Sequence, residues 1–217
     1  RYGVLLIHDE VMTGGGRTGK FFAGEHWNVD PDILVISKGF AAGYAPLGAM
    51  IAHKDIVTNV LDNGGFLHGF TYAGNPLACS AGLAVLEEIE RENLCQNAAE
   101  TGALLKSELK KLMDRYSIIG DVRGEGLLLA FELVEDRASL RPLAKELNAF
   151  NELVDIAYEN GLIIYSRRTR GGYSGDHFLI APPMISTPDH VAEIIEGLDL
   201  SLRQFLDRIS QQRARAS

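Results

Sequence analysis

Two short apolar runs, each closing on a charged residue, constrain the fold of this chain more than any other feature. Gly3-Val4-Leu5-Leu6-Ile7-His8 ends on Asp9-Glu10, and Asp32-Ile33-Leu34-Val35-Ile36-Ser37 follows the turn-forming Asp30-Pro31 and ends on Lys38-Gly39. Continuous apolar runs of this length read as strands buried on both faces, as in a parallel sheet covered by helices. Leu47-Gly48-Ala49-Met50-Ile51-Ala52 is a third candidate, reached through a glycine- and alanine-rich connection over 39–46. Together they predict part of an α/β domain.

Pro76 opens a helical stretch to about Asn93 whose early residues are small (Ala78, Ser80, Ala81, Gly82, Ala84), which suggests a helix pressed closely against something. An amphipathic helix follows from about Asn97 to Arg115, with Leu104, Leu105, Leu109 and Leu112 at helical spacing. After Gly120 the texture changes. A strand is expected over Leu127–Leu133, a helix from about Pro142 to Asn160 stopped by Gly161, and strands at Leu162–Tyr165 and Phe178–Ala181. Thr187-Pro188 then caps and starts a helix to about Arg208, and the tail 211–217 reads as frayed. The expected boundary lies near Cys95, with an α/β segment over 1–95 and a smaller α+β unit over 96–217.

Composition excludes several classes of function. With 46% hydrophobic and 23% charged residues, 217 positions suffice for one large domain or two small ones. Twenty-nine acidic against 21 basic residues give a net charge of -8, which argues against a general binder of nucleic acid or anionic membrane. No apolar run approaches the roughly 20 residues of a membrane span. Cys79 and Cys95 have no metal-like spacing and suggest a reducing, cytoplasmic setting without disulfides. The chain opens on Arg1 and enters an apolar run at once, as expected of a processed chain or a fragment.

Asp9 and Lys38 share a position type, the carboxyl end of an apolar strand, where open α/β sheets bind ligands. Burial lowers the pKa of a lysine and turns it into an amine nucleophile suited to Schiff-base chemistry. A carboxylate on the neighbouring strand end could hold a proton on a ring nitrogen, and the pair then matches the needs of pyridoxal phosphate (PLP). The alternative is a solvated salt bridge between the two. Gly14-Gly15-Gly16-Arg17-Thr18-Gly19-Lys20 matches part of a nucleotide-binding loop, but Phe21 stands where a magnesium-binding hydroxyl is required, and a tight turn is the better reading.

Asp9-Glu10-Val11-Met12-Thr13-Gly14, Gly16-Arg17-Thr18-Gly19, Ser37-Lys38-Gly39 and His68-Gly69-Phe70-Thr71-Tyr72-Ala73-Gly74-Asn75-Pro76, in this order and spacing, resemble the class III aminotransferases. The likeness continues through Val122–Leu127 and Ala181-Pro182-Pro183. It implies an α/β PLP transferase of fold type I, the aspartate-aminotransferase-like fold. Members being roughly twice as long, the chain resembles their C-terminal half: residues 1–95 the second half of the PLP-binding large domain, residues 96–217 the small α+β C-terminal domain. By match, Lys38 resembles the lysine that carries the cofactor and shuttles the proton. Asp9 resembles the carboxylate facing the pyridine nitrogen, and Val11 the aliphatic residue on one ring face. Thr71 resembles the threonine reaching the cofactor phosphate of the partner subunit, which implies a homodimer with shared active sites.

Two departures bear on substrate. Met12 replaces a glutamine found in some members. Leu179 stands three residues before the Pro-Pro pair, where members with a fixed α-carboxylate clamp carry arginine. Arg167, Arg168 and Arg170 lie upstream. A mobile arginine there, with Arg170 as the candidate, would bind carboxylate in one half-reaction and withdraw in the other; the alternative is three solvated loop arginines. The resemblance implies transfer of an amino group from an amine or ω-amino acid to an oxo-acid. An aminomutase or racemase on the same scaffold is the alternative, and the 217-residue chain alone is expected to be inert.

Overall fold

The computed structural model describes residues 2–168 and 174–216. It divides into two compact units, residues 1–98 and 99–217, with the division inside one helix.

The first unit holds a three-stranded sheet of order β1-β2-β3, formed by β1 (Ile7–Asp9), β2 (Ile33–Ile36) and β3 (Ala49–Ala52). β1 and β2 run parallel, Ile7 opposite Ile33 and Asp9 opposite Val35. β2 and β3 are antiparallel, Ile36 opposite Ala49. All three expected strands form, but the first starts four residues late and none is buried on both faces. β2 is half-buried throughout, while Val4, Ile7 and Met50 are 82%, 58% and 59% exposed. Two helices follow, α1 (Lys54–Asp62) and α2 (Pro76–Arg91). α2 packs on a 3-10 turn, Lys38–Ala41, rather than across the sheet.

α2 begins as its sequence dictates. Asn75 Oδ1 accepts the amides of Leu77 (3.1 Å) and Ala78 (3.2 Å), and Pro76 takes the first helical position, where no amide is needed. Its small face does press closely: a Cβ on Gly82 would sit 2.5 Å from Leu47 Cδ2 and 3.4 Å from the Phe40 carbonyl oxygen.

Helix α3 (Leu94–Arg115) carries the chain into the second unit, an antiparallel sheet of order β4-β5-β8-β7 with β6 added beside β5. The strands are β4 (Ile119–Glu125), β5 (Leu128–Asp136), β6 (Arg141–Pro142), β7 (Tyr165–Arg168) and β8 (Ser174–Ile180). α4 (Ala149–Glu159) and α5 (Pro188–Ala216) complete it. Phe131 and Phe178 stack at 4.9 Å and are fully buried, together with Leu105 and Leu109 of α3 and Leu198 and Leu202 of α5. Each such leucine contributes about 1.5–3 kcal/mol.

Four expectations are corrected here. β4 was not expected: Ile119-Gly-Asp-Val-Arg-Gly-Glu has two glycines and three charges, so no apolar run marks it. α4 starts at Ala149, not Pro142. That proline pairs with Val134 instead, a fixed φ and missing amide being as acceptable on an edge strand as at a helix start. β7 begins at Tyr165, three residues beyond the expected Leu162. The backbone of α5 stays helical to Ala216, through most of the tail expected to fray.

Asp199 joins α5 to the end of α3, accepting from the Tyr116 hydroxyl (2.7 Å) and pairing with Arg115 and Arg203. Burial alone would push its carboxyl up, but Tyr116 and Arg115 more than offset this and hold it below the ordinary carboxylate range. A depressed folded-state pKa contributes stability above the unfolded value that is lost as pH falls through the folded one. Asp199→Asn should therefore destabilise the fold at pH 7 by about 1–3 kcal/mol, read as a lower thermal midpoint. The gap from wild type should narrow as the pH is lowered through the carboxylate range; a gap independent of pH would contradict the ion pairing.

Candidate active site

Parallel pairing of β1 and β2 brings Asp9 and Lys38 to the same carboxyl edge of the sheet. Asp9 is the last residue of β1, and the next amide, of Glu10, donates to the Val35 carbonyl at 2.9 Å. Lys38 follows β2 by two residues and starts the 3-10 turn. Asp9 Oδ1 accepts the Val11 amide at 3.1 Å, which fixes the carboxylate while leaving it exposed. Val11 is half-buried beside it.

Lys38 has a left-handed backbone, φ 45°, unusual for a residue with a Cβ and costing about 1–3 kcal/mol. Its neighbours hold that conformation. Ser37 Oγ donates to the Leu47 carbonyl (2.9 Å), the Phe40 amide to the Ser37 carbonyl and the Ala42 amide to the Gly39 carbonyl (3.2 Å each). Phe40, 5% exposed, anchors the turn in an aromatic cluster with Phe21 and Phe22. The lysine itself is exposed, which corrects the expectation of an amine desolvated by a buried strand: the sheet beneath it is thin and open. Among the described residues its ammonium makes no hydrogen bond or ion pair, so the salt bridge to Asp9 is not formed.

The glycine-rich segment is a turn and not a nucleotide loop. It runs into a 3-10 helix at Ala23–Trp27 rather than an α-helix, so no helix N-terminus faces it. Its organiser is Glu10, which the sequence places beside the turn but does not mark as a site residue, and which is 3% exposed. Following Asp9, Glu10 falls on the opposite side of the strand end, an alternation that could have flagged it.

Thr71 lies in a tight turn, with the Ala73 amide on the Phe70 carbonyl and the Asn75 amide on the Tyr72 carbonyl, both 3.0 Å, just before α2. It is exposed, and no described hydrogen bond links it to Asp9 or Lys38. Arg170 lies outside the described residues. Arg168 is not a solvated loop arginine. Its Nε donates to Asp176 Oδ1 at 2.9 Å, both side chains are buried (5% and 1% exposed), and the guanidinium lies 4.8 Å over the Phe150 ring. Burial pushes the Asp176 carboxyl up, against the pull of Arg168 and the Phe150 amide. Arg167 is exposed and donates to the Tyr165 hydroxyl. Leu179 sits in β8 opposite Ala130 and Tyr165.

The profile of the aminotransferase class-III family matches residues 1–202. This chain belongs to the class III aminotransferases. It is 38% identical over 92% of its length to taurine–pyruvate aminotransferase of Bilophila wadsworthia, and covers 44% of that protein. Among solved structures, a transaminase from the marine bacterium Virgibacillus superposes with a TM-score of 0.90 at 34% identity, covering 96% of this chain and 47% of the other. An amine transaminase from an uncultivated Pseudomonas species, in its PLP-bound form, gives 0.84 at 37% identity, covering 93% and 45%. The fold is thus that of the PLP transaminases, and the chain spans less than half the length of the relatives it matches. Among the described residues no helix is long and apolar enough to cross a membrane.

Proposed function

We propose that the protein carrying this sequence is a PLP-dependent aminotransferase that moves an amino group from an amine or ω-amino acid to an oxo-acid. The observation that carries the reading is the placement of Asp9 and an unpartnered Lys38 on one carboxyl edge of a parallel strand pair. The donor set fits the group: an amine for its carbonyl, a carboxylate for its ring nitrogen, an aliphatic side chain for a ring face and a hydroxyl for its phosphate. When bound, PLP supplies an electron sink for the substrate carbon. Lys38 holds the cofactor and moves the proton at that carbon. Asp9, kept in place by the Val11 amide, holds a proton on the ring nitrogen. Val11 packs on the ring, and Thr71 serves the phosphate of a partner subunit, which makes the working form a homodimer with shared sites. Arg170 is the candidate for the oxo-acid carboxylate. Residues 1–95 are the second half of the cofactor domain and 96–217 the small domain. Two cysteines without disulfide-framework or metal-like spacing favour a reducing, cytoplasmic setting.

The test is turnover of an amine by the full-length protein, followed with and without pyruvate. Strict dependence on the acceptor supports transamination, whereas conversion of a single amino acid without acceptor would favour an aminomutase or racemase. Leu179 adds a prediction about the donor. A buried arginine left without its carboxylate would penalise donors lacking one, by a factor that reaches about 10⁴ for unpaired polar sites. With leucine at that position, amines without an α-carboxylate should be turned over within about tenfold of α-amino acids. Steady-state rates over both donor classes decide it, and exclusive use of α-amino acids would contradict the reading. Residues 1–217 alone, whose Asp9, Lys38 and Thr71 stand exposed, should retain cofactor poorly; a stoichiometric PLP complex on equilibrium dialysis would refute this.

A further inference from the structure

We propose that Glu10 is a positioning residue for Lys38, acting through the glycine-rich turn; this rests on the reading of Lys38 as the cofactor lysine. Glu10 makes no described hydrogen bond or ion pair to Lys38, yet its carboxylate is buried, an arrangement that is costly unless both oxygens are paired. They are paired. The Thr13 hydroxyl donates to Oε2 and the buried Gly24 amide to Oε1 at 3.0 Å. The backbone is used as fully, the Gly14 amide donating to the Glu10 carbonyl and the Glu10 amide to Val35, each at 2.9 Å. One residue therefore ties three things together: the end of β2, the start of the glycine turn and its far side at Gly24. The contact at Gly24 requires glycine, since a Cβ there would lie 3.0 Å from the His8 ring and 2.9 Å from the Val29 carbonyl oxygen.

The turn so held is pressed onto the segment that carries Lys38. A Cβ on Gly14 would lie 2.9 Å from the Glu10 carbonyl oxygen and 3.2 Å from Phe40 Cε2, and one on Gly15 would lie 3.6 Å from the same ring atom. A Cβ on Gly39 would in turn meet the Gly14 carbonyl oxygen at 3.7 Å. Phe40 thus lies against the glycine turn, with α2 behind its backbone through Gly82, and Lys38 is two residues away in a left-handed conformation that only its surroundings can maintain. Cutting the Glu10 staple frees the turn, the turn releases Phe40, and Lys38 relaxes out of φ 45°.

Three substitutions in the full-length protein test this. Glu10→Ala removes both side-chain bonds. Thr13→Val removes one without changing shape. Glu10→Gln keeps both, because the amide oxygen can accept from Gly24 while the amide nitrogen donates to a Thr13 hydroxyl turned to accept. The first readout needs no cofactor: hydrogen exchange at the Phe40 and Ala42 amides, which close the Lys38 turn. Exchange there should rise in Glu10→Ala and Thr13→Val and stay at wild-type level in Glu10→Gln. With PLP and an amine, kcat should fall about 10- to 100-fold in Glu10→Ala, with KM nearly unchanged, and Glu10→Gln should recover most of it. Unchanged exchange at Phe40 and Ala42 in both cutting variants overturns the proposal, as does a Glu10→Gln variant no better than Glu10→Ala. If Glu10→Ala does not fold, Thr13→Val and Glu10→Gln carry the same comparison. Should wild-type protein fail to attach PLP to Lys38, the functional reading falls, while the exchange data still decide whether Glu10 controls the turn.

Discussion

Lys38→Ala in the full-length protein is expected to abolish amine transfer, with a loss of about 10⁴-fold or more, equivalent to about 5.4 kcal/mol. Its ammonium is free of protein partners among the described residues, so nothing structural is lost with it. The left-handed backbone sharpens the experiment. Lys38→Gly removes the same amine and relieves a Cβ strain of about 1–2 kcal/mol, so its thermal midpoint should equal or exceed that of wild type while activity is lost. Borohydride treatment of wild-type protein with PLP, followed by peptide mapping, should place the cofactor on Lys38. Attachment to any other lysine, or an active Lys38→Gly enzyme, would remove Lys38 from the site.

Asp9→Asn has the second largest expected effect. Asparagine retains an oxygen for the Val11 amide, so the strand end keeps its local geometry. What disappears is the negative charge that would hold a proton on the ring nitrogen. Losing one preoriented electrostatic partner costs about 3 kcal/mol, roughly 10²-fold in kcat. Cofactor retention should fall less than turnover, because the lysine linkage is untouched. Near-wild-type kcat in Asp9→Asn would show that the carboxylate lies outside the chemistry.

Both predictions rest on residues that stand out along the chain. An aspartate and a lysine closing two apolar runs mark one edge of a parallel sheet, because parallel strands put like ends together. Asn75-Pro76 marks the start of α2 because a side-chain cap and a missing amide suit only a helix N-terminus. Thr187-Pro188 does the same for α5. Local chemistry decides such features, so local sequence displays them.

Other features depend on partners far along the chain. Pro142 suits a helix start and an edge strand equally, and only the presence of Val134 opposite it selects the strand. β4 has no apolar run and exists because β5 supplies its hydrogen bonds. Arg168 reads as a loop arginine until β7 and β8 pair and set it opposite Asp176, in a buried ion pair over Phe150. Glu10 reads as the neighbour of a more interesting aspartate until the chain returns 14 residues later to place the Gly24 amide on its carboxylate. Sequence alone therefore determined the family, the starts of α2 and α5 and the two charged strand ends, each written in adjacent residues. Tertiary structure decided which charges are buried, which proline joins a sheet and what holds Lys38 in its left-handed turn, because each depends on a contact between segments that meet only when the chain folds.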